Sequence, residues 1–297
     1  MERKANNETQ KSLSKVVINW FPGHMTKTRR YIEKNISLVD IVAETVDARC
    51  IRSSQNPDFD KLLKNKKRLM IITKTDLADP DVTSRWLNYF RAQGRGAIAV
   101  CLANGKGVND IVPAAFEMLK EQIDRYAAKG MKKTVRMMIC GIPNSGKSTL
   151  INSLCKRKTV IAQDRPGVTR GGQWVTLSSN FELLDTPGIL WNKFEDMQTG
   201  FNLAFTGAIK DDVMDIETLA LKLIETLTDK YPDCLANRFG DTVKRAETSL
   251  EIYEAICKRR GFILRGGDFD YERGARIILD EFRAGKFGRL SLEVPNA

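Results

Sequence analysis

The clearest chemistry in the chain lies at residues 141–148, Gly141-Ile142-Pro143-Asn144-Ser145-Gly146-Lys147-Ser148. The pattern is G-x-x-x-x-G-K-S. Its glycines let backbone N–H groups wrap around phosphate oxygens, and the helix that follows presents its positive end to them. Lys147 is expected to reach the β- and γ-phosphates, and Ser148 to hold Mg²⁺ through its hydroxyl. Asn144, Ser145, Gly146 and Thr149 complete the expected phosphate-binding set.

A second cluster follows at Asp185-Thr186-Pro187-Gly188. Asp185 closes an apolar run and is the expected metal carboxylate, while the N–H of Gly188 is placed to donate to a γ-phosphate. Between the two clusters, Arg165-Pro166-Gly167-Val168-Thr169 offers a threonine that would complete the Mg²⁺ shell and sense the γ-phosphate.

Base recognition is expected upstream, at Thr73-Lys74-Thr75-Asp76. Guanine offers two N–H donors on one edge, so a fixed carboxylate at Asp76 can accept both, and the Lys74 stem would cover the ring. Adenine would leave that carboxylate unpaired, which is costly. GTPases usually carry Asn where Thr73 stands, and this departure keeps an ATPase open as a competing reading. Leu102-Ala103-Asn104 supplies a further loop, with the backbone of Ala103 expected at guanine O6.

These residues need a sheet to gather them. Residues 37–46, 68–73, 97–102 and 135–140 are short apolar runs bounded by polar turns, as in strands buried on both faces. Helical spacing separates them at 82–93 and 111–128, and a helix is expected from Lys147 onward. Residues 173–177 and 181–184 read as a hairpin, and 127–134 as a polar linker. Alternating strands and helices predict an α/β fold, a mostly parallel sheet with helices on both faces. Beyond Asp196 the strand signal ends. Ile216, Leu219, Ala220, Leu223, Ile224 and Leu227 share one helical face, and 249–259 and 271–283 follow suit. The expected organisation is a polar, disordered tail at 1–15, an α/β domain at 16–195 and a small all-helical domain at 196–297.

The base loops precede the phosphate loop, the reverse of the ordinary order. This is a circular permutation, which the linker at 127–134 makes possible by joining ends otherwise free. It also sends the chain from Gly188 straight into the helices.

Composition sets the outer bounds. Of 297 residues, 42% are hydrophobic, enough for real cores. A net charge of +11 favours a polyanionic partner. No apolar run reaches the length of a membrane span, so no membrane is expected. The N-terminal residues lack the apolar core of a secretory signal, and the six scattered cysteines fit reduced, buried thiols in a cytoplasmic protein.

Together these segments resemble the circularly permuted GTPases of the ribosome biogenesis GTPase A family of bacteria and mitochondria. The resemblance runs from Trp20 to Pro295. It is carried by Trp20-Phe21-Pro22-Gly23-His24-Met25, Asp47-Ala48-Arg49 with Asn56-Pro57, the permuted loops, 185–191, and Phe282-Arg283-Ala284-Gly285-Lys286-Phe287-Gly288. It implies a monomeric GTPase that binds GTP and GDP and assists late maturation of the large ribosomal subunit. It also implies slow intrinsic turnover, stimulated by the particle, and a helical domain that contacts its rRNA. Lys258, Arg259, Arg260, Arg265, Arg273, Arg276, Arg283, Lys286 and Arg289 are the expected phosphate contacts. Asn144 matches a position linked in related GTPases to K⁺. Ile189 and Leu190 stand where many GTPases place a water-orienting Gln, so the catalytic group is expected elsewhere. His24, the one histidine of the chain, is the candidate. An RNA-binding protein that holds GTP with negligible hydrolysis is the competing reading.

Overall fold

The computed structural model describes residues 23–156, 161–162, 173–191, 194 and 196–296. The tail at 1–15, Trp20 to Pro22 and Thr169 lie outside the described residues.

The chain opens with α1 (Gly23–Asn35), then β1 (Ile41–Asp47), α2 (Ile51–Ser54), α3 (Asp58–Leu62) and β2 (Lys67–Thr73). Next come α4 (Pro80–Ala92), β3 (Gly96–Ala99), α5 (Ile111–Met118) and α6 (Lys120–Ala127). After residues 128–134 the chain forms β4 (Val135–Gly141), α7 (Lys147–Lys156), β5 (Ile161–Ala162), β6 (Trp174–Ser178) and β7 (Phe181–Asp185). The expected first strand starts four residues late, because a 3-10 turn at Ile36–Leu38 intervenes. The expected helix at 111–128 breaks at Leu119, whose N–H reaches the carbonyls of both Ala115 and Phe116.

The strands form one seven-stranded sheet in the order β3-β2-β1-β4-β7-β6-β5. β3, β2, β1, β4 and β7 run parallel, and β6 joins antiparallel neighbours β5 and β7. Apolar side chains alternate between its faces. Ile41, Ala43, Leu69, Ile71, Met137 and Ile139 pack on one side with Ala115 of α5 and Leu150 of α7. On the other, Val42, Met138 and Leu184 meet Ile32 of α1 and Phe59 of α3, while Met70 and Ile72 meet Trp86 and Phe90 of α4. Each of the larger side chains among these contributes roughly 1.5–3 kcal/mol.

The chain runs outward through β1, β2 and β3, then returns to lay β4 on the free side of β1. Adjacent strands thus diverge in direction of winding, which opens a crevice at their carboxyl ends. The loops after β1, β2, β3, β4 and β7 all emerge there.

From Met197 onward the chain is helical: α8 (Met197–Phe205), α9 (Ile216–Lys230), α10 (Cys234–Phe239), α11 (Asp241–Lys244), α12 (Ser249–Arg260) and α13 (Tyr271–Arg283). Asp215, Thr248 and Asp270 cap α9, α12 and α13, and Thr248 with Glu251 forms a reciprocal capping box. The apolar face expected on α9 is buried at Leu219, Ala220, Leu223, Ile224 and Leu227. The core of this region also takes in Cys50, Ile142, Leu190 and Trp191. After α13 the chain turns back to the sheet. The N–H of Leu290 donates to Leu77 O at 3.0 Å, and that of Leu292 to Arg49 O at 2.7 Å. Among the described residues, no helix is long and apolar enough to cross a membrane.

Candidate nucleotide site

The phosphate loop is built largely from its own residues. Ser145 Oγ donates to Ile142 O at 2.8 Å, and Lys147 Nζ donates to the same carbonyl at 2.6 Å. Asn144 and Gly146 hold positive φ, 56° and 89°. A Cβ at Gly141 would stand 2.4 Å from Thr45 Oγ1, so only glycine lets β4 and β1 approach here. Thr45 then reaches Ser145, with 2.6 Å between the two hydroxyl oxygens. Ser148 and Thr149 are exposed at the start of α7. Burial pushes the Lys147 ammonium down to about 8, against the opposing pull of Cys140 and Asp185.

Asp185 ends β7 next to β4, with Ile139 as its register partner. Burial raises its carboxyl, while the charge of Lys147 and the backbone at Thr186 act to lower it. Gly188 lies over the phosphate loop: a Cβ there would meet Pro143 Cα at 2.8 Å and Lys147 Nζ at 3.2 Å. The N–H of Ile189 donates to Gly141 O at 3.1 Å. Ile189 and Leu190 are both buried. Ile189 packs in the sheet core, and Leu190 and Trp191 pack in the helical core. Three consecutive residues after Gly188 therefore join the two cores.

Thr73 is fully buried, and its hydroxyl lies 2.8 Å from Ser145 O and 3.0 Å from Val46 O. It ties the base loop to the phosphate loop in place of the usual Asn. Lys74 holds φ 56°, and its ammonium pairs with Asp47 at 2.9 Å. Asp76 is exposed, and no hydrogen bond or ion pair among the described residues engages its carboxylate. Ala103 sits in a turn closed by the bridge between Cys101 and Lys106. Leu102 carries this turn to within 3.2 Å of a Cβ built at Gly146. The structure thus gathers Thr73, Lys74, Asp76, Ala103, residues 144–149, Asp185 and Gly188 at one edge of the sheet. Thr169 lies outside the described residues. His24 stands in the first turn of α1, and its side chain also lies outside them.

Several residues around the site had no claim from motif reasoning. Asp47 is the centre of one group. Burial would raise its carboxyl, but Arg49 and Lys74 hold it well below the ordinary carboxylate range. Arg49 donates to it at 3.0 and 2.8 Å and also lies over the Phe282 ring, 5.4 Å from the centroid. Arg289 donates to Thr75 O at 2.9 Å and Ala78 O at 3.0 Å. The C-terminal residues therefore brace the base loop. Asn144 Nδ2 donates to Gly207 O at 2.6 Å, linking the phosphate loop to the turn after α8. Between these elements lies a cleft of about 440 Å³, lined in part by Arg49, Lys74, Asn144, Gly207 and Arg283. The Tyr31 hydroxyl is buried with no hydrogen-bond partner among the described residues, and its pKa is raised first by burial and then by the charge of Asp185.

The basic residues near the C-terminus divide in two. Arg283 donates to Phe205 O and Ala204 O and pairs with Asp211, and Arg289 is held as described. Arg260 pairs with Glu281 and Arg276 with Glu272. Lys258, Arg259 and Arg265 are exposed. A count of cations could not separate these groups, because it does not record which carboxylate each cation meets.

A family profile described as 50S ribosome-binding GTPase matches residues 136–250. Ribosome biogenesis GTPase A of Priestia megaterium is 45% identical over 283 residues, 95% of this chain and 98% of that one. The protein of the same name from Bacillus cereus is 42% identical over 281 residues, 94% of this chain and 95% of its own. In fold, the chain is similar to the crystal structure of GNP-bound YlqF from T. maritima, with TM-score 0.67, 24% identity, and coverage of 91% of this chain and 99% of that one. A phosphate loop at the crevice of a permuted sheet, and identity of this extent along the whole length, agree: the chain is a GTPase of the ribosome biogenesis GTPase A family.

Proposed function

We propose that this protein hydrolyses GTP while assisting late maturation of the large ribosomal subunit, and that the particle stimulates its turnover. The observation that carries this reading is the burial of Ile189 and Leu190 directly after Gly188. Neither side chain can orient water, so the site lacks a group that other GTPases supply at this position. A partner that completes the site accounts for the gap. The relatives are named for ribosome biogenesis, and the matching profile for 50S binding.

The roles follow from chemistry. The backbone N–H groups of 144–149 and the Lys147 ammonium would bind the phosphates, and Asp76 would read guanine with Lys74 over the ring. Mg²⁺ is a hard cation that takes a carboxylate, a hydroxyl and phosphate oxygens, and Asp185 and Ser148 fit that donor set. Thr169 is proposed as its third protein contact. When bound, the ion would offset charge developing on the phosphates. A cation there would also relieve the burial cost at Asp185. K⁺ is proposed at Asn144. Its amide nitrogen is engaged by Gly207 O, which leaves the side-chain oxygen as the available donor. Faster hydrolysis in K⁺ than in Na⁺ is expected; equal rates would remove the idea. His24 is proposed to orient or deprotonate water once the particle is bound. Undiminished particle-stimulated turnover by His24→Ala would exclude it.

The helical region, residues 196–297, is proposed to contact rRNA through Lys258, Arg259 and Arg265. Gly188 touches the phosphate loop and runs into Leu190 and Trp191 of the helical core. A γ-phosphate that moves Gly188 would therefore bias the helical region. Burial of Ile189 and Leu190 also supports a second reading, a GTP-gated RNA-binding protein with negligible hydrolysis. Multiple-turnover phosphate release, with and without large-subunit precursor, separates the two. Stimulation by the particle supports the first reading, and absence of turnover in both conditions supports the second.

A further inference from the structure

The helical region is not where the chain keeps its positive charge. Residues 196–297 carry 15 Lys+Arg against 18 Asp+Glu, although the whole chain is +11. The surplus lies in residues 1–195. Within it, residues 61–68 read Lys61-Leu62-Leu63-Lys64-Asn65-Lys66-Lys67-Arg68, five cations with no acid. The run leads from α3 into β2, at the amino end of the sheet. Arg95 joins it from the start of β3, because Leu69 and Gly96 are register partners. The nucleotide loops leave the opposite end, about 20 Å away along β2.

Lys64, Lys66, Lys67, Arg68 and Arg95 line a groove of about 510 Å³, in which Asp60 is the one carboxylate among the lining residues. Arg68 is answered by Glu44 and Asp60. The others are not neutralised by any ion pair among the described residues. Lys66 Nζ donates to Val39 O at 2.6 Å, and Lys67 Nζ to Met118 O at 2.5 Å. A carbonyl fixes an ammonium in place without cancelling its charge, and each ammonium keeps two more donors. Two anchored cations and two exposed ones thus face one concavity.

We propose that this groove binds the phosphodiester backbone of RNA, as a contact separate from the helical region and from the nucleotide site. This rests on the reading that the protein works on an RNA particle. The chemistry favours backbone over bases, since lysines act as point charges and no aromatic ring lines the groove for stacking. It favours RNA over an anionic membrane, since none of the exposed large apolar side chains lines the groove to enter lipid. Binding is therefore independent of sequence and steep in salt.

The test is fluorescence anisotropy of a labelled large-subunit rRNA fragment across a KCl series, with wild type and a K64Q/K67Q/R95Q variant. GTP turnover without RNA, measured alongside, is expected to be unchanged. The variant should bind at least about tenfold more weakly, and its log–log salt slope should shrink by about two to three. Wild-type affinity and slope in the variant would overturn the groove. So would wild-type binding to phosphatidylserine vesicles that the variant loses while RNA binding stays intact. Failure of the wild type itself to bind RNA would instead strike the functional reading beneath it.

Discussion

The phosphate loop and the base loop sit side by side but are held in different ways. The phosphate loop is local. Ser145 and Lys147 both bond Ile142 within the same turn, and Asn144 and Gly146 hold the positive-φ backbone. The base loop is assembled from afar. Asp47 holds Lys74, and Arg289 bonds the carbonyls of Thr75 and Ala78 from the other end of the chain. The permutation explains the contrast. It moved the base loop to the front of the chain, and the returning C-terminal segment now supports it. A local loop tolerates distant change, whereas an assembled loop depends on it.

Substitutions can break or sharpen that contrast. The largest effect belongs to the local loop: Lys147→Ala should lower particle-stimulated turnover by about 10²-fold or more, read as phosphate release. Asp76→Asn should weaken GTP by about 10²-fold and shift preference towards xanthosine triphosphate, measured by competition against labelled nucleotide. Unchanged selectivity would remove Asp76 from base reading. Asp47→Asn leaves Arg49 buried beside an uncharged partner and releases Lys74. It should lower stability by about 3 kcal/mol in denaturant unfolding and weaken GDP several-fold. If GDP affinity survives that change, the base loop is not assembled as described.

Acidity offers a further probe of the local loop. Free Lys147 titrates at about 8. Phosphate binds the charged form and raises that value, so affinity is constant below 8 and falls as pH rises through it. At pH 9 the loss should approach about tenfold, with protons taken up on binding, as calorimetry in two buffers would record. The smallest effect is expected for Arg289→Ala. It removes two bonds to carbonyls at an exposed site, so GDP should weaken by about two- to fivefold while the pH profile stays in place.

The same contrast marks what could be read from sequence. Strands at Lys67–Thr73 and Val135–Gly141 are legible because burial on both faces leaves the apolar runs 69–72 and 137–140. The phosphate loop was legible because its residues are contiguous. Asp47 and Arg49 were visible only as part of a resemblance. A buried ion pair has no periodicity, and its partners Lys74 and Phe282 are far apart in the chain. Composition records the charge of Arg283 but not the Asp211 carboxylate that answers it. The groove at Lys64 and Arg95 is not legible in the sequence for a related reason. Its two halves meet only when β2 pairs with β3.

Nucleotide state is proposed to govern engagement with the large subunit through Gly188 and the helical region. Co-sedimentation with large-subunit precursor particles in GTP, GDP and a non-hydrolysable GTP analogue tests it directly. The account predicts strong co-sedimentation with the analogue, and release with GDP. Equal co-sedimentation in all three states would contradict it.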